Sequence, residues 1–497
     1  MTVSPLRLIA YATGGISVGI SQNVTAFYLN IFLLTVALLP PNFCGHILLI
    51  SKVFDAITDP LIGILSDRIS TRFGRRRPWL FFSTPMMAVL FLFLFQTHLS
   101  LTETEAFGYY LVMFCCLVFF QTCYAIPYAS LTMAMGDDDK TRVKLTFSRV
   151  AAMFISILIG LVIVGVLLGV FAPNETREEL IKAYSYSGYT GAIVILVLGY
   201  VATFTSFEPK DSHQGVTIGF FKGLALVLKN KSYRVLIILS AGCFGSLSLV
   251  QNNLLIYAEF ALNLLPQFTP VMCVLIVCTV LCLFLWSFII EKKGKKFTFY
   301  MGTISLLITY ILLFFLPQNN LWMAYIVAVQ ASIGLSVISF IPYAMLPDVI
   351  DLDEITTDQR REGIFFAYII FIEKISTGIT LAISNYALEL AGFDSNLPEQ
   401  GESVQLTIRI MISFLPAAIT LISSIVMIFY PISTEIQKEN SILLIEKRSE
   451  RKVRYNSTDF FQKAQDNSST YEMDINEHED DEIIITEIHN NENERLL

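Results

Sequence analysis

The sequence predicts an all-α membrane protein with twelve transmembrane helices in two six-helix halves. Three observations predict it. The chain has 497 residues, of which 54% are hydrophobic and only 15% charged, with a mean hydropathy of +0.61, far too apolar for a soluble chain of several domains. Apolar runs of about 20 residues, the length that crosses a bilayer core, recur over 8–36, 44–66, 78–98, 105–134, 149–172, 187–207, 235–262, 267–290, 298–316, 322–347, 364–390 and 405–430. Finally, IPYASL at 126–131 returns as IPYAML at 341–346, and GRRR at 74–77 is echoed by GKK at 294–296, two offsets that agree to within five residues.

The first run follows a single Arg7 and contains no small-residue cleavage site, so it reads as a retained helix and not a signal peptide. The second-to-third connection carries Arg68, Arg72, Arg75, Arg76 and Arg77, and the eighth-to-ninth carries Lys292, Lys293, Lys295 and Lys296. Connections on the opposite side hold only Arg177 and Lys182, so both termini are expected in the cytoplasm. In that orientation Asn174 of an Asn-Glu-Thr sequon faces outward and is the expected glycan site, while Asn456 and Asn467 lie in the cytoplasmic tail and Asn23 within the first span. All eight cysteines precede residue 283 and offer no outer pair, so they read as packing residues, neither disulfides nor metal ligands.

The chain divides into an N-terminal half (1–207), a cytoplasmic connector (208–234), a C-terminal half (235–430) and a tail (431–497). The connector alternates apolar and basic positions in helical fashion, which fits a segment lying on the inner membrane surface and equally a short connector helix. The tail holds 16 acidic and 8 basic residues, which accounts for the whole formal charge of −8, and reads as a disordered acidic extension. Its acidic dileucine patterns, ENSILL at 439–444 and ENERLL at 492–497, suggest sorting adaptors as partners, with an endosomal or lysosomal membrane as the alternative to the plasma membrane. Nucleic-acid binding has no support, and a monomer is expected. Two parallel six-helix repeats are the construction of major facilitator transporters, with the substrate site near the midplane between the halves.

The informative residues are the charges inside the spans. Asp55 and Asp59 are one turn apart, so their carboxylates share a face of the second span. An ionised carboxylate at the bilayer centre costs roughly 2.5–3.5 kcal/mol, and two together demand a positive neighbour. Na+ fits, held by Asp55, Asp59, Thr58 and a carbonyl freed by Pro60; a proton serves equally, and Lys52 offers a purely structural ion pair instead. Lys374, deep in the eleventh span beside Glu373, is too far from either interface to snorkel and should meet the Asp55/Asp59 pair across the halves. Arg149 opens the fifth span as a substrate ligand or an interfacial anchor. Asn252, with Asn253, Tyr128 and Tyr343, are candidates to line a substrate cavity, or to bond helix to helix. Asp67, Arg68, Gly74, Arg75 and Arg76, on the cytoplasmic end of the second span, read as a gate, with Gly74 making a tight turn, although the positive-inside rule alone explains the arginines. No nucleophile–base set or cofactor loop is visible, so neither catalysis nor a cofactor is expected.

Two stretches, FDAITDPLIGILSDRISTRFGRRRPW and MLPDVIDLDEITTDQRREGIFFAYIIFIEKISTGITLAISNYALELAGF, resemble the glycoside-pentoside-hexuronide:cation symporter family, over residues 5 to 435. The resemblance implies that Asp55 and Asp59 form the cation site, that Lys374 lies beside it and that Arg149 reaches the substrate. Sugar-carrying members hold their substrate with aspartates in the first and fourth spans, where Gly19 and Ala125 stand here; MLPDVID and IPYASLTM look closer to the lysolipid carriers, although Gln251 replaces a glutamate of theirs. The expectation is a cation-coupled symporter working by alternating access, its substrate a lysophospholipid or similar amphiphile, with a sugar or glycoside as the runner-up. A transport-dead nutrient sensor of the same fold is the competing class, disfavoured because a scaffold has no reason to bear the insertion cost of the acid pair and Lys374.

Overall fold

The computed structural model describes residues 5–68, 71, 73–97, 100–135, 139–173, 176–206, 223, 227–357, 362–394, 397, 400–433, 435–440, 442–444 and 446–447. Its helices are α1 Pro5–Ile31, α2 Pro41–Arg68, α3 Arg77–Leu94, α4 Glu103–Met135, α5 Asp139–Phe171, α6 Arg177–Thr205, α7 Lys231–Ile256, α8 Phe268–Lys293, α9 Lys295–Phe315, α10 Leu321–Thr357, α11 Glu362–Leu390, α12 Glu402–Ile412 and α13 Phe414–Ile428. Every expected span falls on helix. The sixth helix starts ten residues earlier than hydropathy suggests, because its first turns (Arg177, Glu178, Glu179, Lys182) are charged and hydropathy does not register helix outside lipid. The twelfth span is broken at Ser413 into α12 and α13, where Pro416 supplies no N–H for the Ile412 carbonyl.

Among the described residues, eleven helical spans are long and apolar enough to cross a bilayer. The helix that fails on composition is α2, where Lys52, Asp55 and Asp59 fall within eight residues. Around the perimeter large apolar side chains such as Phe82, Ile193, Phe288 and Ile425 stay exposed, as a lipid-facing surface requires.

In the first half α1 packs on α5 and α6, α3 on α4 and α6, and α2 on α4; in the second, α7 packs on α11 and α13, and α9 on α13. Helix pairs α2/α11, α1/α7 and α5/α8 join the halves into one compact unit over residues 1–350 and 361–434. The pair α2/α11 crosses closely because glycine faces the partner twice: a Cβ on Gly45 would come within 3.1 Å of Asn385 Cβ, and one on Gly378 within 3.0 Å of Lys52 Cβ. At the end of the bundle holding the α1–α2 turn the halves also meet through Tyr28 and Phe268, edge to face at 6.3 Å, and through Tyr386 Oη and His46 Nε2, 2.5 Å apart.

The two halves repeat each other in backbone detail. Gly74 (φ +109°) and Gly294 (φ +81°) both adopt the left-handed region open to glycine, Gly74 closing a turn in which its N–H and carbonyl pair with those of Thr71. Pro127 and Pro342 of the repeated IPYA each interrupt the ladder of a fourth helix. Both α1 and α7 end in a π-helical turn, Phe32–Val36 and Tyr257–Ala261. An arginine caps each: Arg177 donates to Val36 O from Nε and Nη2 at 3.3 Å, and Arg409 donates to Ala261 O at 3.1 Å and to Phe314 O and Leu316 O at 2.9 Å.

The second compact unit is residues 351–360 with 435–497. Within it Lys447 Nζ donates to Ile355 O at 2.8 Å, and Leu444 of ENSILL is buried, so that dileucine does not present both side chains. The ENERLL pattern and Asn174 lie outside the described residues, as do most of the connector and of the tail.

Removing the Arg409 clasp strands three carbonyls that have no other donor on the helix. Arg409→Met is expected to destabilise the fold by about 2–4 kcal/mol, read as a lower melting temperature in detergent, with a smaller fall for Arg177→Met, whose bonds are longer.

Candidate cation and substrate site

The site begins with the face of α2 that composition disfavours. Asp55 and Asp59, separated by one helical turn, point between α4 and α11, and Pro60 leaves the Ala56 carbonyl without its helical donor. Lys374 reaches across from α11, its ammonium 2.7 Å from Asp55 Oδ2 and 2.5 Å from Asp59 Oδ2. On the other side of the pair, Thr122 Oγ1 of α4 lies 3.0 Å from Asp55 Oδ1 and 2.9 Å from Asp59 Oδ1. A threonine has one hydroxyl proton, so it donates to one carboxylate at a time and approaches the other without satisfying it. The two carboxylates are thus bridged twice, by an ammonium and by a hydroxyl.

The pair is closed on one edge and open on the other. Side-chain exposure is 9% for Asp55 but 20% for Asp59 and 21% for Lys374, so the side of Asp59 and Lys374 is where a small cation can arrive. Thr58 is buried and donates to the Asp55 carbonyl at 3.2 Å, which places it on the same turn with its hydroxyl proton already used. Its oxygen lone pairs remain. Lys52 makes no ion pair within 4 Å among the described residues; the carboxylates are held by Lys374 of the opposite half instead of by their own helix.

Two residues here escaped sequence reasoning. Thr122 is a lone threonine in an apolar helix, with nothing in its neighbourhood to mark it. Glu373, read as a weak neighbour of Lys374, accepts a hydrogen bond at Oε2 from the Tyr343 hydroxyl of α10, and so turns away from Lys374 into its own half. Its signal was present in the repeated IPYA, since a tyrosine inside the membrane needs a partner for its hydroxyl.

The other expected residues separate. Tyr343 does face the interior beside Phe244, with ring centroids 5.4 Å apart. Tyr128, at the matching place in the first half, bonds helix to helix: its hydroxyl donates to Tyr11 O at 2.8 Å and accepts from Gly15 N at 3.0 Å, while Tyr11 Oη donates to Tyr128 O at 3.0 Å. The ring is 2% exposed and works as a clasp between α4 and α1. Arg149 is half-buried on α5 with its Nε buried and unbonded, and Asn252 is buried with its Nδ2 unbonded. Among the gate residues, Arg76 donates to Ser130 O of α4 at 2.8 Å, a bond inside the first half; the side chains of Asp67 and Arg68 lie outside the described residues. The second half shows the parallel arrangement, with Lys295 chelating Asp348 at 2.7 Å and Lys296 donating to Tyr430 O.

A cavity of about 280 Å3 opens between α1 and α5 of the first half and α7 to α10 of the second. Its walls are mostly apolar (Phe27, Phe154, Leu254, Met272, Leu335 and Ile338 among them), with amides from Asn23, Gln251 and Gln267 and hydroxyls from Thr279, Thr309, Tyr257, Tyr310 and Ser339, all five of which are already bonded within the protein. None of Arg149, Asn252, Tyr128 and Tyr343 is in these walls.

A family model described as MFS/sugar transport protein matches residues 10–434. The chain belongs to that family. It is 30% identical over 472 residues to the sodium-dependent lysophosphatidylcholine symporter 1-B of Danio rerio, covering 88% of this chain and 89% of that one. It is 28% identical to a sphingosine-1-phosphate transporter of Xenopus tropicalis, covering 89% and 91%. Among solved structures it resembles the nucleoside transporter NupG (TM-score 0.63, 12% identity, 86% of this chain and 99% of that one) and a bacterial homologue of the lysosomal transporter Spinster (TM-score 0.62, 15% identity, 87% and 100%). The molecule is a major facilitator transporter, an integral multi-pass membrane protein and not an enzyme, and its function is cation-coupled movement of a solute.

Lys374→Gln leaves two facing carboxylates with no ammonium between them. Breaking the pair is expected to cost about 2–3 kcal/mol, below the value for a fully enclosed pair because one edge is open. The melting temperature should fall and should be recovered by added Na+ more strongly than in the unmodified protein.

Proposed function

We propose that this protein is a Na+-coupled symporter of a lysophospholipid or a closely similar single-chain amphiphile. The observation that carries the substrate class is the cavity between α1, α5 and α7 to α10. Its apolar walls suit an acyl chain, and its few amides cannot satisfy the many hydroxyls of a sugar. At Gly19, where a sugar carrier has an aspartate, a Cβ would fall 2.1 Å from Ser156 Oγ, and Asn23 Nδ2 already bonds Gly19 O and Ser156 Oγ at 2.8 and 3.1 Å. The curated relatives that carry lysophosphatidylcholine and sphingosine-1-phosphate support a substrate with one chain and a phosphate. Arg149, with an unbonded Nε, is the residue we assign to that phosphate.

For the cation, Asp55 and Asp59 supply hard oxygens, Thr122 and Thr58 supply hydroxyl lone pairs, and Lys374 occupies the place a cation would take. Na+ arriving at the open edge competes with the ammonium for the same oxygens. Its binding releases α11 from α2 at this level and lets the halves rock. We place the α1–α2 end of the bundle outside and both termini in the cytoplasm on the lysine and arginine distribution. The contacts of Tyr28 with Phe268 and of His46 with Tyr386 then close the outer face.

The test is uptake into proteoliposomes of labelled lysophosphatidylcholine and of a labelled disaccharide, with and without an inward Na+ gradient. Lipid uptake driven by Na+ and lost in Asp55→Asn is expected; uptake of the sugar alone, or lipid uptake indifferent to both Na+ and the substitution, would overturn the proposal. Ala331→Trp, which fills the cavity away from the carboxylates, should lower lipid uptake by roughly tenfold while leaving Na+ binding in place.

A further inference from the structure

We propose that Glu373 sets the charge of the ion site and so makes the carrier depend on one monovalent cation per cycle. This deepens the cation reading above and rests on a cation binding beside Asp55 and Asp59. The groups that meet at this level are Lys52, Asp55 and Asp59 from α2, Thr122 from α4, Tyr343 from α10, and Glu373 and Lys374 from α11; α7 presents Phe244 and Ser248, neither charged. Lys52 lies within electrostatic reach of Asp55, Asp59, Glu373 and Lys374. Arg149, on α5 within reach of Tyr128, is assigned to the substrate and left out of the count.

Both ammoniums sit at the α2/α11 crossing. Lys374 belongs to the second half and bonds the carboxylates of the first, while Lys52 belongs to the first half and packs against α11 at Gly378, where a Cβ would lie 3.0 Å from Lys52 Cβ. On the proposal all five groups are ionised, three carboxylates against two ammoniums, so that the empty site carries one net negative charge and becomes neutral when a single Na+ binds. Without Glu373, Asp55, Asp59, Lys52 and Lys374 would already balance, and a cation would leave the site positive inside the membrane. Glu373 touches no oxygen of the pair. It acts through the total, and its hydrogen bond from Tyr343 holds it inside the second half, where it moves with Lys374.

Charge substitutions separate this role from a packing role. With purified full-length protein and Na+ alone as the probe, Glu373→Gln is expected to raise the Na+ concentration for half-maximal thermal stabilisation by roughly tenfold or more. Lys52→Gln combined with Glu373→Gln restores one net negative charge and should return that concentration close to the original, which no packing role predicts. Lys52→Gln alone, with two negative charges, should lower it, so the inference stays testable if Glu373→Gln does not fold. Tyr343→Phe, which keeps every charge, should change it little. A second readout is the membrane-potential dependence of exchange, in which only the loaded carrier moves. Exchange of lysophosphatidylcholine should ignore the potential in the unmodified protein and respond to it in Glu373→Gln. Unchanged Na+ binding in Glu373→Gln, or no recovery in the double variant, would overturn the inference. Since Na+ binding is measured without lipid, failure of the substrate reading leaves this result intact; no Na+ stabilisation of the unmodified protein would overturn the cation reading itself.

Discussion

The ion pair between Lys374 and the carboxylates of Asp55 and Asp59 is the constraint around which the rest is arranged. There charges from the two halves meet inside the membrane at hydrogen-bonding distance, at 2.5 and 2.7 Å. An ammonium and two carboxylates cannot be left apart in lipid, so the closed crossing of α2 and α11 and the charges at its centre support each other. Gly45 and Gly378 give the backbones room to approach, and the approach brings Lys374 within reach. A side chain at either glycine would hold the helices apart and uncover the charges.

In the proposed mechanism the same pair is the switch. An ammonium on a long flexible stem is a ligand that can leave, whereas a helix backbone is not. Thr122 stays with the carboxylates when Lys374 withdraws, because it belongs to the same half and has no reason to move with α11. On the proposed reading a cation finds a site already half built, with oxygens of two carboxylates and a hydroxyl in place. Such sites bind small cations with little reorganisation, which is what repeated loading and unloading requires.

Much of this was legible in the sequence, and the rest was not for identifiable reasons. Hydropathy located the helices, since lipid imposes one pattern on every span. The acid pair and Lys374 were legible because charge inside a span is costly enough to demand an explanation. Thr122 was not, as a hydroxyl in an apolar helix most often bonds its own backbone. The twin tyrosines of IPYA have different neighbours: Tyr128 meets Gly15, whose bare backbone admits the ring and offers its N–H, while Tyr343 meets Phe244 and turns its hydroxyl to Glu373. Identical tetrapeptides were read alike although their neighbours on other helices differ. Lys52 was a fair structural alternative on spacing alone, and only the rotation of α2 against α11 decides that Lys374 takes the carboxylates.

The arginine clasps at the π-turns bear on how the chain is made. Arg177 ties the end of α1 from within the first half, and Arg409 ties the end of α7 from within the second. Each half carries the means to finish its own rim, so the first can reach a settled state in the bilayer once its sixth helix is inserted, before the second has left the ribosome. The late step in biogenesis is then the docking of two prefabricated parts.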